Sequence, residues 1–262
     1  MIPLRDNNPT QSRPYVVYAL IIINALVFII DMIGAHGPIG ALWNWSMIPA
    51  SVVHNQPAMI DIPVRYGPTI QVVHIVHQGL TPQWLTIFTS MFMHGGWMHI
   101  GGNMLYLWIF GNNIEDVLGH VKFLLFYLVC GALAAGAHIL MSLNSTIPTV
   151  GASGAIAGVL GAYIVLYPRS RISTLIMLGW WWEMVDIPAA FVLGVWFLLQ
   201  LTGVLGTGGQ VGGGVAYWAH VGGFVGGMLL ILILGGKKLT RPRRDYQRPW
   251  NEGKPYPFRP WK

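Results

Sequence analysis

Six stretches of the chain are apolar over lengths suited to membrane helices. They lie near Tyr15–Gly34, Gly96–Asn113, Val121–Leu143, Ser153–Tyr167, Met184–Leu205 and Val215–Gly235. A hydrocarbon core about 30 Å thick takes about 20 apolar residues per helix. Lipid offers a backbone amide no partner, so such spans must close their own hydrogen bonds as helices. The pattern therefore predicts an all-α, polytopic membrane protein with six transmembrane helices. It divides into an N-terminal segment at 1–14, a six-helix membrane domain at 15–236 and a basic tail at 237–262. The first run is longer than a signal-peptide core and lacks a small-residue cleavage site, so it is expected to remain as a helix.

Between the first two runs lies a long connection, residues 35–95, in which Trp43, Trp45, Trp84, Phe88 and Phe92 recur. Aromatic rings favour the membrane–water interface, so part of this loop is expected to lie there. Thr81-Pro82-Gln83-Trp84 reads as the start of a short helix, with proline near its first turn. The connection Gly206–Gly214 is rich in glycine, which predicts mobility. With the outer end of the fifth run it is expected to cover whatever lies beneath. The Pro-rich basic tail is expected to be disordered.

Composition agrees with a lipid solvent: 54% of residues are hydrophobic and 9% are charged, against roughly a quarter charged in soluble domains. Charge then sets orientation. Given six crossings, Arg5, Arg13, Lys122, Arg169, Arg171 and the basic residues from Lys237 onward share one side. Of 15 Lys and Arg, only Arg65 falls on the other. The positive-inside rule puts both termini in the cytoplasm, which predicts a multi-pass protein of the cell's inner membrane. The net charge of +6 is thereby explained by topology, and no nucleic-acid partner is called for. The lone Cys130 has no partner for a disulfide and is assigned no chemistry.

Polar side chains inside apolar runs are costly unless paired, hydrated or functional. Three sets stand out: His99 and Asn103, four apart on one face of the second run; Ser153 at the opening of the fourth; and His220 near the start of the sixth. In the predicted topology all four lie toward the outer face at similar depth. The fourth run has about 15 residues, or ~22 Å of helix, so a start at Ser153 is submerged and needs water for its open amides. Gly154, Gly158 and Gly161, with Gly222, Gly223, Gly226 and Gly227, would let the fourth and sixth helices approach closely. Taken singly, each residue has an ordinary reading as packing or as a hydrogen-bonded polar group. His138 and His120 keep that reading. His74 and His77 suggest a metal pair, but no third ligand is evident, and neither metal nor cofactor is called for.

Taken together, His94-x₄-His99-x₃-Asn103, Gly151-Ala-Ser-Gly154 and Ala219-His-x-Gly-Gly223 resemble the rhomboid family in its bacterial six-helix form. The similarity runs through Leu107–Gly119 and covers roughly Thr86 to Gly227. The resemblance implies that Ser153 is a nucleophile and His220 its general base, with His99, Asn103 and the Ser153 amide around the oxyanion. It implies a structural role for His94. It also implies single-pass membrane proteins as substrates, cut where small residues ease the unwinding of a helix. Two positions depart from the family: Leu85-Thr86, where many relatives have Trp-Arg, and Ala157, where many have an aromatic that stacks on the base. No carboxylate is placed to complete a triad, which leaves a Ser–His dyad. The alternative is a non-catalytic relative that binds or escorts membrane helices.

Overall fold

The computed structural model describes residues 1–34, 42–67, 69–206 and 215–240. The glycine-rich connection after Gly206 and the tail beyond Thr240 lie outside them. The chain opens with a strand, β1 (Ile2–Asp6), and the first apolar helix, α1 (Tyr15–Ile33). The long connection holds a short helix α2 (Pro49–His54) and a hairpin of β2 (Ala58–Tyr66) and β3 (Thr69–His77). A one-turn helix, α3 (Thr86–Thr89), follows a 3₁₀ turn capped by Pro82, as the Thr-Pro-Gln-Trp signal predicts. Then come α4 (Trp97–Leu118), α5 (His120–Met141) and α6 (Ser153–Leu166). A second hairpin, β4 (Arg171–Leu178) and β5 (Trp181–Pro188), leads to α7 (Ala189–Gly206) and α8 (Tyr217–Ile233).

Each apolar run thus contains a helix, but the fold is not all-α. β2 and β3 pair antiparallel, and β1, β4 and β5 form a three-stranded sheet. Arg171–Leu178 and Trp181–Pro188 are rich in β-branched and aromatic residues, which favour a pleated surface. They are joined through Gly179 at φ +61°, a conformation glycine takes without steric cost. Met184–Pro188, expected inside the fifth span, therefore belongs to β5. α7 starts after Pro188, its first amides accepted by the carbonyls of Ser170 and Pro168. The N-terminal segment is also more than a tail, since β1 ties it to the end of the chain that leaves α6.

α1, α5 and α7 are long and apolar enough to cross a membrane, and α6 and α8 are apolar but shorter. Large apolar side chains face outward along α1 (Ile22, Leu26, Ile30, Ile33) and α7 (Phe191, Leu198, Leu199, Leu205). α6 is the centre. All of its residues except Ser153, Ile164 and Val165 are buried, with α4, α5 and α8 packed around it.

The contact between α6 and α8 is backbone on backbone. A Cβ added at Gly227 would overlap the carbonyl of Gly158, and one at Gly161 would overlap that of Phe224. A Cβ at Gly223 would overlap the Gly154 carbonyl. Lipid tails are as apolar as leucine, so helices in a bilayer associate through close packing and dispersion. The glycine faces supply that closeness.

The opposite end of the bundle is held by carboxylates. Glu115 of α4 is fully buried, accepts the Val16 and Val17 amides at 2.9 and 2.8 Å, and faces His120. Those amides open α1 and have no partner within the helix, and an anion there complements the helix dipole. Asp116 accepts the Gln11 and Ser12 amides. These bonds let α4 continue as helix past Asn113, where the apolar run ends.

Gly227→Val should lower the unfolding free energy by about 3 kcal/mol or more, because the atoms it meets are main chain and cannot rotate away. Gly194→Val on α7, where nothing lies within 4 Å of the added Cβ, should change it little. Thermal unfolding of the two variants in detergent checks the contrast.

Candidate active site

Three segments fix the turn before Ser153. Met47 and Thr149 exchange both backbone hydrogen bonds, at 3.0 and 2.7 Å, and the Gly151 amide donates to the Ser90 carbonyl at 2.9 Å. The long connection therefore clamps the entry to α6. Gly151 has φ +127°, a conformation that disfavours a side chain. Ser153 follows as the first residue of α6, and among the described residues no side chain caps the helix. Its opening amides remain free to bind an anion.

His220 lies in the first turn of α8. The glycine contact carries its imidazole to the start of α6, where Nε2 is 2.8 Å from the Ser153 hydroxyl oxygen. On its far side, Nδ1 is 2.8 Å from Oε1 of Gln200, a residue of α7. The Trp196 ring lies 5.7 Å from the imidazole at 36°. Sequence reading singled out neither Gln200 nor Trp196. The signal for Gln200 was present, since it is a polar residue within an apolar run.

His99 and Asn103 stand on α4 at the same end. The Gly95 amide donates to His99 Nδ1 at 3.3 Å. An amide can only donate, so the His99 proton belongs on Nε2. That nitrogen points at Gly151, where an added Cβ would be 2.7 Å from it and 3.6 Å from the Ser153 hydroxyl. The Asn103 amide nitrogen is buried with no hydrogen-bond partner among the described residues. An open donor in a buried place is costly unless something comes to accept from it. Ser153, His220 and His99 thus meet at the end where α4, α6 and α8 begin, and Asn103 lies one turn further along α4.

The family model of the rhomboid domain matches residues 81–237. The chain belongs to the rhomboid family. Among its relatives are Rhomboid protease GluP of Bacillus subtilis, 29% identical over 58% of this chain and 26% of that protein. Rhomboid-like protein 11, chloroplastic, of Arabidopsis thaliana is 29% identical over 58% of this chain and 53% of its own. RHOMBOID-like protein 4 of Arabidopsis thaliana is 34% identical over 66% and 39%. This chain spans from about a quarter to about half the length of these relatives. Rhomboid-domain membership and the outward apolar helices make it a multi-pass, mostly helical membrane protein.

The family departures have visible consequences in this rhomboid domain. Thr86 is buried, its hydroxyl donating to the Gln83 carbonyl at 2.7 Å. Ala157 is buried in the core, and the ring nearest His220 comes from α7 instead. Three other histidines have hydrogen-bond partners close by. His74 pairs with Asp61, His77 meets the Ser46 hydroxyl and the Trp43 carbonyl, and His138 meets Thr149. His94 is buried with its ring centroid 5.0 Å from that of His99. Burial pushes its pKa down to about 4, with the neighbouring His99 adding to the shift and the Phe92 backbone opposing it.

Two outcomes are expected. Gly151→Ala should reduce any turnover at Ser153 by about 10²-fold or more, because the methyl group must displace the His99 ring and a misplacement near 1 Å suffices for that loss. Steady-state cleavage with membrane insertion as control measures it. For His94, the unfolded chain takes up a proton near pH 6.5 that the native state refuses until about 4. Stability should be full above about pH 6.5 and fall by up to about 3 kcal/mol as pH drops toward 4. Thermal scans across that range should show the slope, and His94→Gln should make it shallower.

Proposed function

We propose that this chain is an intramembrane serine endopeptidase that hydrolyses peptide bonds in or beside the transmembrane helices of single-pass membrane proteins. The observation that carries the reading is the 2.8 Å contact between Ser153 and His220, made at the open start of a buried helix. In this reading α1 and α4 to α8 are the six helices set in the bilayer of the cell's inner membrane. Both termini are cytoplasmic and the site faces outward. α6 has 14 residues, about 21 Å of helix against a core near 30 Å, so Ser153 is submerged and reached by water.

A serine hydroxyl is a weak nucleophile until a base takes its proton. His220 Nε2 receives that proton as Oγ attacks the peptide carbonyl, and the imidazolium then gives it to the departing amine. The acyl group on Ser153 is released when His220 activates a water molecule in the same way. Negative charge on the tetrahedral intermediate falls near the α6 amides, His99 Nε2–H and the Asn103 amide. Donors aimed at that position are already in place before the charge develops, which is where they are worth most. A helical peptide bond is shielded by its own hydrogen bonds, so small or helix-breaking residues in the substrate would ease access.

Ser153→Ala and His220→Ala should each remove essentially all cleavage of a purified single-pass substrate, since the two act as one unit. Labelling by a fluorophosphonate should disappear with Ser153→Ala. Asn103→Ala should lower turnover by about 10–10³-fold, because the other donors remain. Appreciable cleavage by the Ser153→Ala protein would remove the proposal.

A further inference from the structure

We propose that Gln200 of α7 is the positioning residue for His220, holding the imidazole in the one tautomer that can take the serine proton. The inference rests on the peptidase reading for its purpose, but its geometry stands apart from it. A neutral imidazole carries one proton, on Nδ1 or on Nε2. If Nε2 holds it, that nitrogen donates to Ser153 and cannot act as base. If Nδ1 holds it, Nε2 presents a lone pair to the hydroxyl.

The side-chain amide of Gln200 decides between these states because its own orientation is fixed. Its Nε2 donates to the Trp196 carbonyl one turn back at 3.1 Å. Turning the amide over would set its oxygen against that carbonyl oxygen. Oε1 therefore faces His220 Nδ1, at 2.8 Å, and an amide oxygen can only accept. The proton is held on Nδ1, and the lone pair on Nε2 points at Ser153, 2.8 Å away. Trp196 contributes twice, since its carbonyl orients the amide and its ring lies against the imidazole. When Nε2 takes the serine proton, the Nδ1–H bond to Oε1 persists, and the oxygen end of the amide dipole faces the new positive charge.

Among the described residues no carboxylate hydrogen-bonds His220, and its titratable neighbours from the facing helices are His99 of α4 and His138 of α5. Neither imidazole is hydrogen-bonded to Nδ1, whose partner is Gln200. The positioning role usually carried by a carboxylate in serine hydrolases falls here to a neutral amide.

The test separates the acceptor from the volume. Gln200→Met keeps the length and removes the acceptor, and Gln200→Glu keeps an acceptor and adds charge. ¹⁵N-imidazole NMR on the full chain in detergent, with His220 assigned by difference from His220→Gln, reads the tautomer directly. The wild type should hold its proton on Nδ1, and Gln200→Met should populate the Nε2–H form. In turnover, Gln200→Met should lower kcat by about 10–100-fold with KM within about twofold. Gln200→Glu should recover most of that loss. Its negative charge favours the imidazolium, so the acidic limb of its kcat/KM profile should move to higher pH. A wild-type proton on Nε2, an unchanged tautomer and kcat in Gln200→Met, or an unmoved acidic limb in Gln200→Glu would each overturn the assignment. If the wild type cleaves nothing, the peptidase reading fails, and the NMR result still decides the role of Gln200.

Discussion

Along their glycine faces α6 and α8 touch main chain to main chain, with no side chain between them. The carbonyls of Gly154 and Gly158 on one helix lie where Cβ atoms at Gly223 and Gly227 would be on the other. The position of His220 relative to Ser153 is therefore set by main-chain contact, the least deformable kind of packing available to two helices. A leucine pair at such a contact could change rotamer and move the helices by an ångström. Here nothing can rotate. In a bilayer, where burying an apolar side chain gains little over leaving it in lipid, this steric fit also does most of the work of holding the centre together.

The rest of the site builds outward from that contact with progressively softer groups. The clamp from the long connection fixes Gly151 through main-chain bonds to Ser90 and Thr149 to Met47. His99 and Asn103 are side chains on a rigid helix. The last partner, Gln200, stands on α7, where only Ala189, Val192, Leu193 and Val204 are buried. Rigidity is greatest where Ser153 and His220 meet and falls outward to Gln200.

Much of this was legible from residue types alone. The apolar runs located the helices because lipid imposes one backbone solution. Ser153, His220, His99 and Asn103 stood out because polar groups in such runs are expensive. The glycines announced the α6–α8 contact because only a missing Cβ permits it. The strands were missed for a related reason: apolar β-branched stretches such as Arg171–Leu178 look like span margins when helices dominate expectation. Their hairpin turn at Gly179 was the available sign. The partner of His220 was missed because spacing along a chain does not say which helix faces which. Gln200 became informative only once α7 was seen beside α8.

The buried Glu115 has a consequence in time. Its carboxylate holds the Val16 and Val17 amides from 99 and 98 residues further along the chain. At ribosomal speeds of about 5–20 residues per second, α1 exists for about 5–20 s before its cap is synthesised. During that interval its first amides must stay in water or among lipid headgroups. The first helix is thus a provisional element at the outset, and the partner of its opening amides comes only with α4.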